Sequence, residues 1–229
     1  MLKSINSGLP VLMPDEFHPD TEKTLCISGH REKSIIPYQN NRIYGSLTIS
    51  AVKLMLYRYI DMAIERGFEN FISGLATGID LWAAEYIIKK KQSNSSINLI
   101  GVMPYLRHAE VFPADYKKLL EYVEKNSDTL ISTNSDPEII YKKSSPERYL
   151  YRDRNYYMVD RSSAIIAFLN DNSSYTGTRQ TVSYGYKTGR KICRFGIEDI
   201  FKIIDECGTD IRNIGRHIAF LENAFDFSF

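Results

Sequence analysis

Phe71-Ile72-Ser73-Gly74-Leu75-Ala76-Thr77-Gly78-Ile79-Asp80-Leu81-Trp82-Ala83-Ala84-Glu85 reads as the end of a buried strand, a glycine-rich turn and the opening of a helix. Such an arrangement aims backbone N–H groups at a phosphate or a sugar above the turn. Gly74 and Gly78 suit the turn because glycine takes positive φ and has no Cβ to hold a ligand off the backbone. Asp80 falls in the first helical turn, where its charge favours the helix dipole but repels phosphate, so a sugar hydroxyl is its expected partner. The plainer alternative is that Gly78 only makes the turn and Asp80 only caps the helix.

Working outward, short apolar runs recur at Lys23 to Ser28, Asn70 to Ser73, Ile97 to Met103, Thr129 to Ser132, Ala164 to Leu169 and Lys191 to Phe195. Helical spacing lies between them, as in Val52, Met55, Leu56, Tyr59, Ile60, Ala63 and Ile64. Strands without polar alternation, separated by helices, require a sheet covered on both faces. The expected fold is α/β: a Rossmann-like open, mostly parallel sheet with helices on both faces, with Ala164 to Leu169 central. Residues 1–22 read as an extended N-terminal arm without an element of its own, 23–207 as the domain, and 208–229 as a Phe-rich C-terminal tail.

Composition narrows the function classes. With 229 residues and 43% hydrophobic content the chain buries a full core. Its 29 Lys and Arg against 28 Asp and Glu leave a net charge of +1, so no overall basic field recommends nucleic acid as the main partner. Cys26, Cys193 and Cys207 are too scattered for a disulfide framework or a zinc site. No metal and no cofactor is expected. There is no apolar run of about 20 residues and no signal-peptide pattern, so a cytoplasmic protein without a membrane partner is expected.

Three further stretches carry chemistry. Thr176-Gly177-Thr178 opens a helix after the central strand and is the better phosphate seat, since hydroxyls and free N–H groups stand there without a nearby acid. His30 and Arg31, after the first strand, either bind phosphate or position a ribose, or are a backbone-bonded histidine and a surface arginine. The helix around Arg148 to Arg161 interleaves arginines and tyrosines, which suits stacking on bases, or equally an amphipathic helix burying its rings. Phe220, Phe225, Phe227 and Phe229 in the tail pack on this domain or on a second copy, a homodimer.

Together, Ser28-Gly29-His30-Arg31, Ser73 to Asp80, Leu81-Trp82-Ala83-Ala84-Glu85 and Gly177-Thr178 with Thr181-Val182-Ser183-Tyr184 resemble the YpsA-like branch of the SLOG superfamily, related to DprA and LOG proteins. The resemblance runs from about Thr24 to Phe195. It implies glycine turns gathered at the carboxyl ends of the strands to bind a nucleotide or a nucleotide-derived ligand such as an ADP-ribose or NAD-type molecule. The residues it places round that cleft are Gly29, His30, Arg31, Gly74, Thr77, Gly78, Asp80, Gly177 and Thr178. LOG relatives hydrolyse a base–ribose bond, and DprA-like members bind single-stranded DNA. This chain has Thr181 where the LOG pattern places its catalytic glutamate, and a hydroxyl cannot do that acid's work. Glu85 and Asp80 remain as catalytic candidates, but five positions on a helix set them about 140° apart. Binding, by sensing or sequestration, is the expected function; LOG-like hydrolysis and DprA-like DNA binding are the alternatives, and whether the protein is an enzyme stays open.

Overall fold

In the computed structural model, which describes residues 2–35, 42–136, 139, 148–170 and 176–221, the N-terminal arm is not simply extended. β1 (Leu2–Lys3) pairs antiparallel with β2 (Pro10–Val11). The turn between them holds because the Ser4 hydroxyl accepts from the Asn6 amide at 3.1 Å and donates to the buried Glu124 carboxylate. Leu12 then bonds the main sheet's edge, its amide to the Leu130 carbonyl at 2.8 Å and its carbonyl to the Ser132 amide at 3.1 Å. An edge covered this way no longer offers free N–H and C=O groups to another strand.

Six apolar runs form the main sheet: β3 (Thr24–Gly29), β4 (Asn70–Ser73), β5 (Asn98–Met103), β6 (Thr129–Ser132), β7 (Ala164–Leu169) and β8 (Lys191–Gly196). Their order is β6-β5-β4-β3-β7-β8 and every pairing is parallel. The described helices are α1 (Glu32–Ile35), α2 (Arg42–Glu65), α3 (Ile79–Lys91), α4 (Ala114–Asn126), α5 (Arg148–Asp160), α6 (Gly177–Lys187), α7 (Ile197–Cys207) and α8 (Ile211–Ala219). Period-two alternation splits each strand between two cores. Leu25, Ile27, Phe71, Ile166 and Phe168 face α2, α3, α4, α7 and α8; Cys26, Ile72, Ile165 and Ala167 face α5 and α6. The result is the expected Rossmann-like α/β fold, except that β4 and β3 are central and Ala164–Leu169, expected there, lies one strand in from the β8 edge. Among the described residues no helix is long and apolar enough to cross a membrane.

The start of the Phe-rich tail docks in cis. Nine residues are too few for an isolated helix. α8 is held because Ile214 and Ile218 are buried on the α2 side, each contributing about 1.5–3 kcal/mol. Phe220, just past it, is 82% exposed, and Phe225, Phe227 and Phe229 lie outside the described residues.

Chain order places the site. The strands β3 to β6 are laid down in one direction; the chain then returns to set β7 on the other side of β3, with Gly29 opposite Phe168. Connections leaving β3 and β7 therefore diverge above their carboxyl ends and open a crevice there, the point where open α/β sheets take their ligands.

Candidate functional site

At that crevice lies a cleft of about 520 Å³, walled by the end of β3 and the residues after it, by the turn after β4 and the start of α3, by α5 and by the opening of α6. Of the nine residues expected there, Gly29, His30, Arg31, Asp80, Gly177 and Thr178 line it. Gly74, Thr77 and Gly78 do not; they build the turn beneath.

The turn differs from its reading in one respect. Positive φ falls on Leu75, at 56°, and on Gly78, at 91°, but not on Gly74. Leu75 is held there by its amide's bond to the Ser73 hydroxyl at 3.2 Å and by a fully buried side chain. Gly78 is a spacer between two turns: a Cβ would stand 2.7 Å from the His30 carbonyl oxygen and 2.6 Å from the Glu32 amide. Gly74 is required by what presses on it, since a Cβ would strike the Arg154 guanidinium and lie 2.6 Å from Asp80 Oδ2.

Asp80 lines the cleft and has a partner distant in sequence. It is 5% exposed and its carboxylate is met by Arg154, Nη1 to Oδ2 at 3.7 Å. Burial pushes its carboxyl up to about 6, against the opposing pull of Arg154 and of the Ala76 and Gly29 amides. Arg154 is equally buried and its Nη1 also donates to the Gly74 carbonyl. One guanidinium from α5 thus ties the first glycine turn to the first turn of α3.

Glu85, the other acidic candidate, is half-buried further along α3 and acts electrostatically on Tyr57 of α2; it is not in the cleft wall. Thr181 is fully buried and its hydroxyl donates back to the Gly177 carbonyl at 2.9 Å, so it does not reach a ligand. At the mouth of α6 the Thr176 side chain caps the helix, accepting from the Arg179 amide at 3.2 Å, which leaves Gly177 and Thr178 facing the cleft. His30 is nearly buried, with its ring edge-on to Phe168 at 6.0 Å; burial first, then Arg179, lowers its pKa, so it is neutral at pH 7.

The wall that sequence reading left undecided is α5. Arg148, Tyr151, Arg152 and Asn155 recur at i, i+3, i+4 and i+7, a single stripe, and all four line the cleft while Tyr157, Met158 and Val159 pack on the sheet. That spacing was the signal available in the sequence. Tyr151 is fixed by Tyr105, whose hydroxyl is 3.3 Å from its own and whose ring meets it at 81° and 6.2 Å. Arg31 stands over the Tyr151 ring at 6.0 Å. Four arginines (31, 148, 152 and 154) against one lining carboxylate, Asp80, make this wall cationic although the chain is nearly neutral, even with Arg152 paired to Asp153 at 2.8 Å.

Behind it lies His108, missed by sequence reading. It is 2% exposed, its Nδ1 lies 3.1 Å from the Tyr105 carbonyl, and burial with the nearby Arg154 charge drops its pKa to about 4. Between pH 4 and 6.5 the unfolded chain therefore holds more protons at this position, and its contribution to stability grows with pH. Asp80 has the opposite sign between about pH 4 and 6, because its folded pKa is raised. Wild type minus His108→Gln stability, from urea titrations at stepped pH, is expected to climb by on the order of 3 kcal/mol from pH 4 to 7 and then level. Parallel curves contradict this assignment.

A parallel sheet with two glycine turns and a cationic cleft at its topological switch defines a Rossmann-like domain of the general nucleotide- and nucleic-acid-binding type. The YpsA family model, described as the YspA SLOG family, matches residues 25–192, and the chain belongs to that family. It is 22% identical over 149 residues to UPF0398 proteins of Bacillus cereus (strain G9842) and Bacillus thuringiensis (strain Al Hakam), covering 65% of this chain and 75% of each relative. Among solved structures it is similar to DNA processing protein A from Helicobacter pylori, described for its single-stranded DNA binding mode. That likeness has 18% identity and a TM-score of 0.48, over 87% of this chain and 81% of the other. DprA from Streptococcus pneumoniae matches with 18% identity and a TM-score of 0.45, over 83% and 60%.

Proposed function

We propose that the cleft binds a nucleotide or nucleotide-derived small molecule of the ADP-ribose or NAD type, and that the protein senses or sequesters it. The observation that carries this reading is the pairing of the capped α6 opening at Gly177-Thr178 with the arginine-bearing stripe of α5 across one cleft. Free N–H groups at a helix start and guanidinium forks are what phosphate oxygens recognise. The one carboxylate in the wall is compensated by Arg154, so it does not oppose an anion as a bare charge.

Base–ribose hydrolysis is the second reading because a carboxyl group, Asp80, lines the cleft, and burial raises it to about 6, toward the range useful for proton transfer near neutral pH. Against it, Asp80 is 5% exposed, and Glu85 and Thr181 stand outside the cleft wall. Incubating the protein with AMP, NAD or ADP-ribose and assaying free base separates the two. Binding by calorimetry without released base is the expected result; base release lost in Asp80→Asn would establish the hydrolase.

A further inference from the structure

We infer that Arg31 and Tyr151 form the seat of the ligand's planar base, a guanidinium on one side and a phenol ring on the other. The inference rests on the nucleotide reading above and adds to it the orientation of the ligand. Tyr151 is preset for such a role. Tyr105, itself nearly buried, meets its ring at 81° and lies within hydrogen-bond distance of its hydroxyl, which fixes the ring, while Arg31 stands over its face.

The spacing is that of an incompletely closed sandwich. The 6.0 Å between the Arg31 guanidinium carbon and the Tyr151 centroid is wider than direct contact. A flat ring between them needs two van der Waals spacings of about 3.5 Å each, so the gap is short by about 1 Å. Arg31 is exposed and long, and gives that distance by a change of rotamer alone. A heteroaromatic base seated there stacks on the tyrosine and meets the cation with its opposite face.

The phosphate seat opens into the same cleft. Asn155 is one turn of α5 beyond Tyr151, about 6 Å along the axis, and its Nδ2 lies 3.7 Å from where a Gly177 Cβ would be, so the two seats adjoin along α5. The base then lies at Tyr151 and the phosphate at Gly177-Thr178, with Arg154 beneath them.

Calorimetry with AMP, ADP-ribose and ribose 5-phosphate tests the seat on wild type, Tyr151→Leu, Tyr151→Phe and Arg31→Gln. Tyr151→Leu is expected to weaken the two nucleotides roughly ten- to hundredfold and leave ribose 5-phosphate unchanged, while Tyr151→Phe stays within about threefold of wild type. Arg31→Gln, at an exposed position that does not bear on folding, is expected to weaken the nucleotides severalfold and selectively. The seat is overturned if Tyr151→Leu binds nucleotides as wild type does, or if it loses nucleotide and ribose 5-phosphate alike, which marks Tyr151 as a wall support only. If wild type binds none of the three probes, the nucleotide reading fails first and the seat with it.

Discussion

Arg154→Leu is expected to lower stability by about 3–5 kcal/mol, because it strands a buried carboxylate and removes the donor from the Gly74 carbonyl. The sign with pH is a second signature. Without the guanidinium, the Asp80 pKa rises above its present value of about 6, so the folded variant carries a proton that the unfolded chain has already lost. Stability of the variant then keeps falling as pH rises beyond 6, where wild type has levelled, and the deficit is wider at pH 8 than at pH 5. Adding Asp80→Asn removes the stranded charge and returns part of the loss. Urea titration at the two pH values reads all of this; a deficit under about 1 kcal/mol with no pH dependence contradicts the role given to the pair.

The second large effect falls on binding with the fold intact. At Gly177 a Cβ meets only the Asn155 amide nitrogen, at ordinary contact distance, and glycine at the first helical position is not required by a positive φ. Gly177→Leu therefore folds, and replacing glycine in a helix is neutral to slightly stabilising. Its side chain takes the place of the anion. Losing two charge-assisted bonds of about 1.5–3 kcal/mol each weakens nucleotide affinity more than about a hundredfold. Calorimetry with ADP-ribose measures it, and unchanged affinity removes the α6 opening from the site.

Much of this architecture was legible because burial and period speak locally. The six strands are where the apolar runs stand, and the two glycine turns follow β4 and β7 as read. The residues that fix the chemistry were less legible because their partners are distant in sequence. Nothing next to Asp80 announces that Arg154, on a helix far along the chain, pairs with it. α5 shows a weaker form of the same difficulty: its arginine and tyrosine stripe was visible, but which side of the sheet it served depended on the chain's return from β6 to β7. Glu85 was partly legible: about 140° round the axis from Asp80, it cannot form a close carboxylate pair with it, and it stands outside the cleft wall. The N-terminal ribbon depends on a buried carboxylate, Glu124, that only the folded chain brings to Ser4.

The cleft at the β3/β7 switch is proposed above to hold a nucleotide. Thermal shift of wild type and Gly177→Leu with AMP, ADP-ribose, NAD and a short single-stranded DNA tests it most directly. A ligand at 100 times its dissociation constant adds about 2.7 kcal/mol, a rise of about 5–10 °C for a chain of this size. That rise is expected with at least one of the three nucleotides in wild type and none in Gly177→Leu. No nucleotide shift, or a salt-sensitive shift with DNA alone, contradicts it.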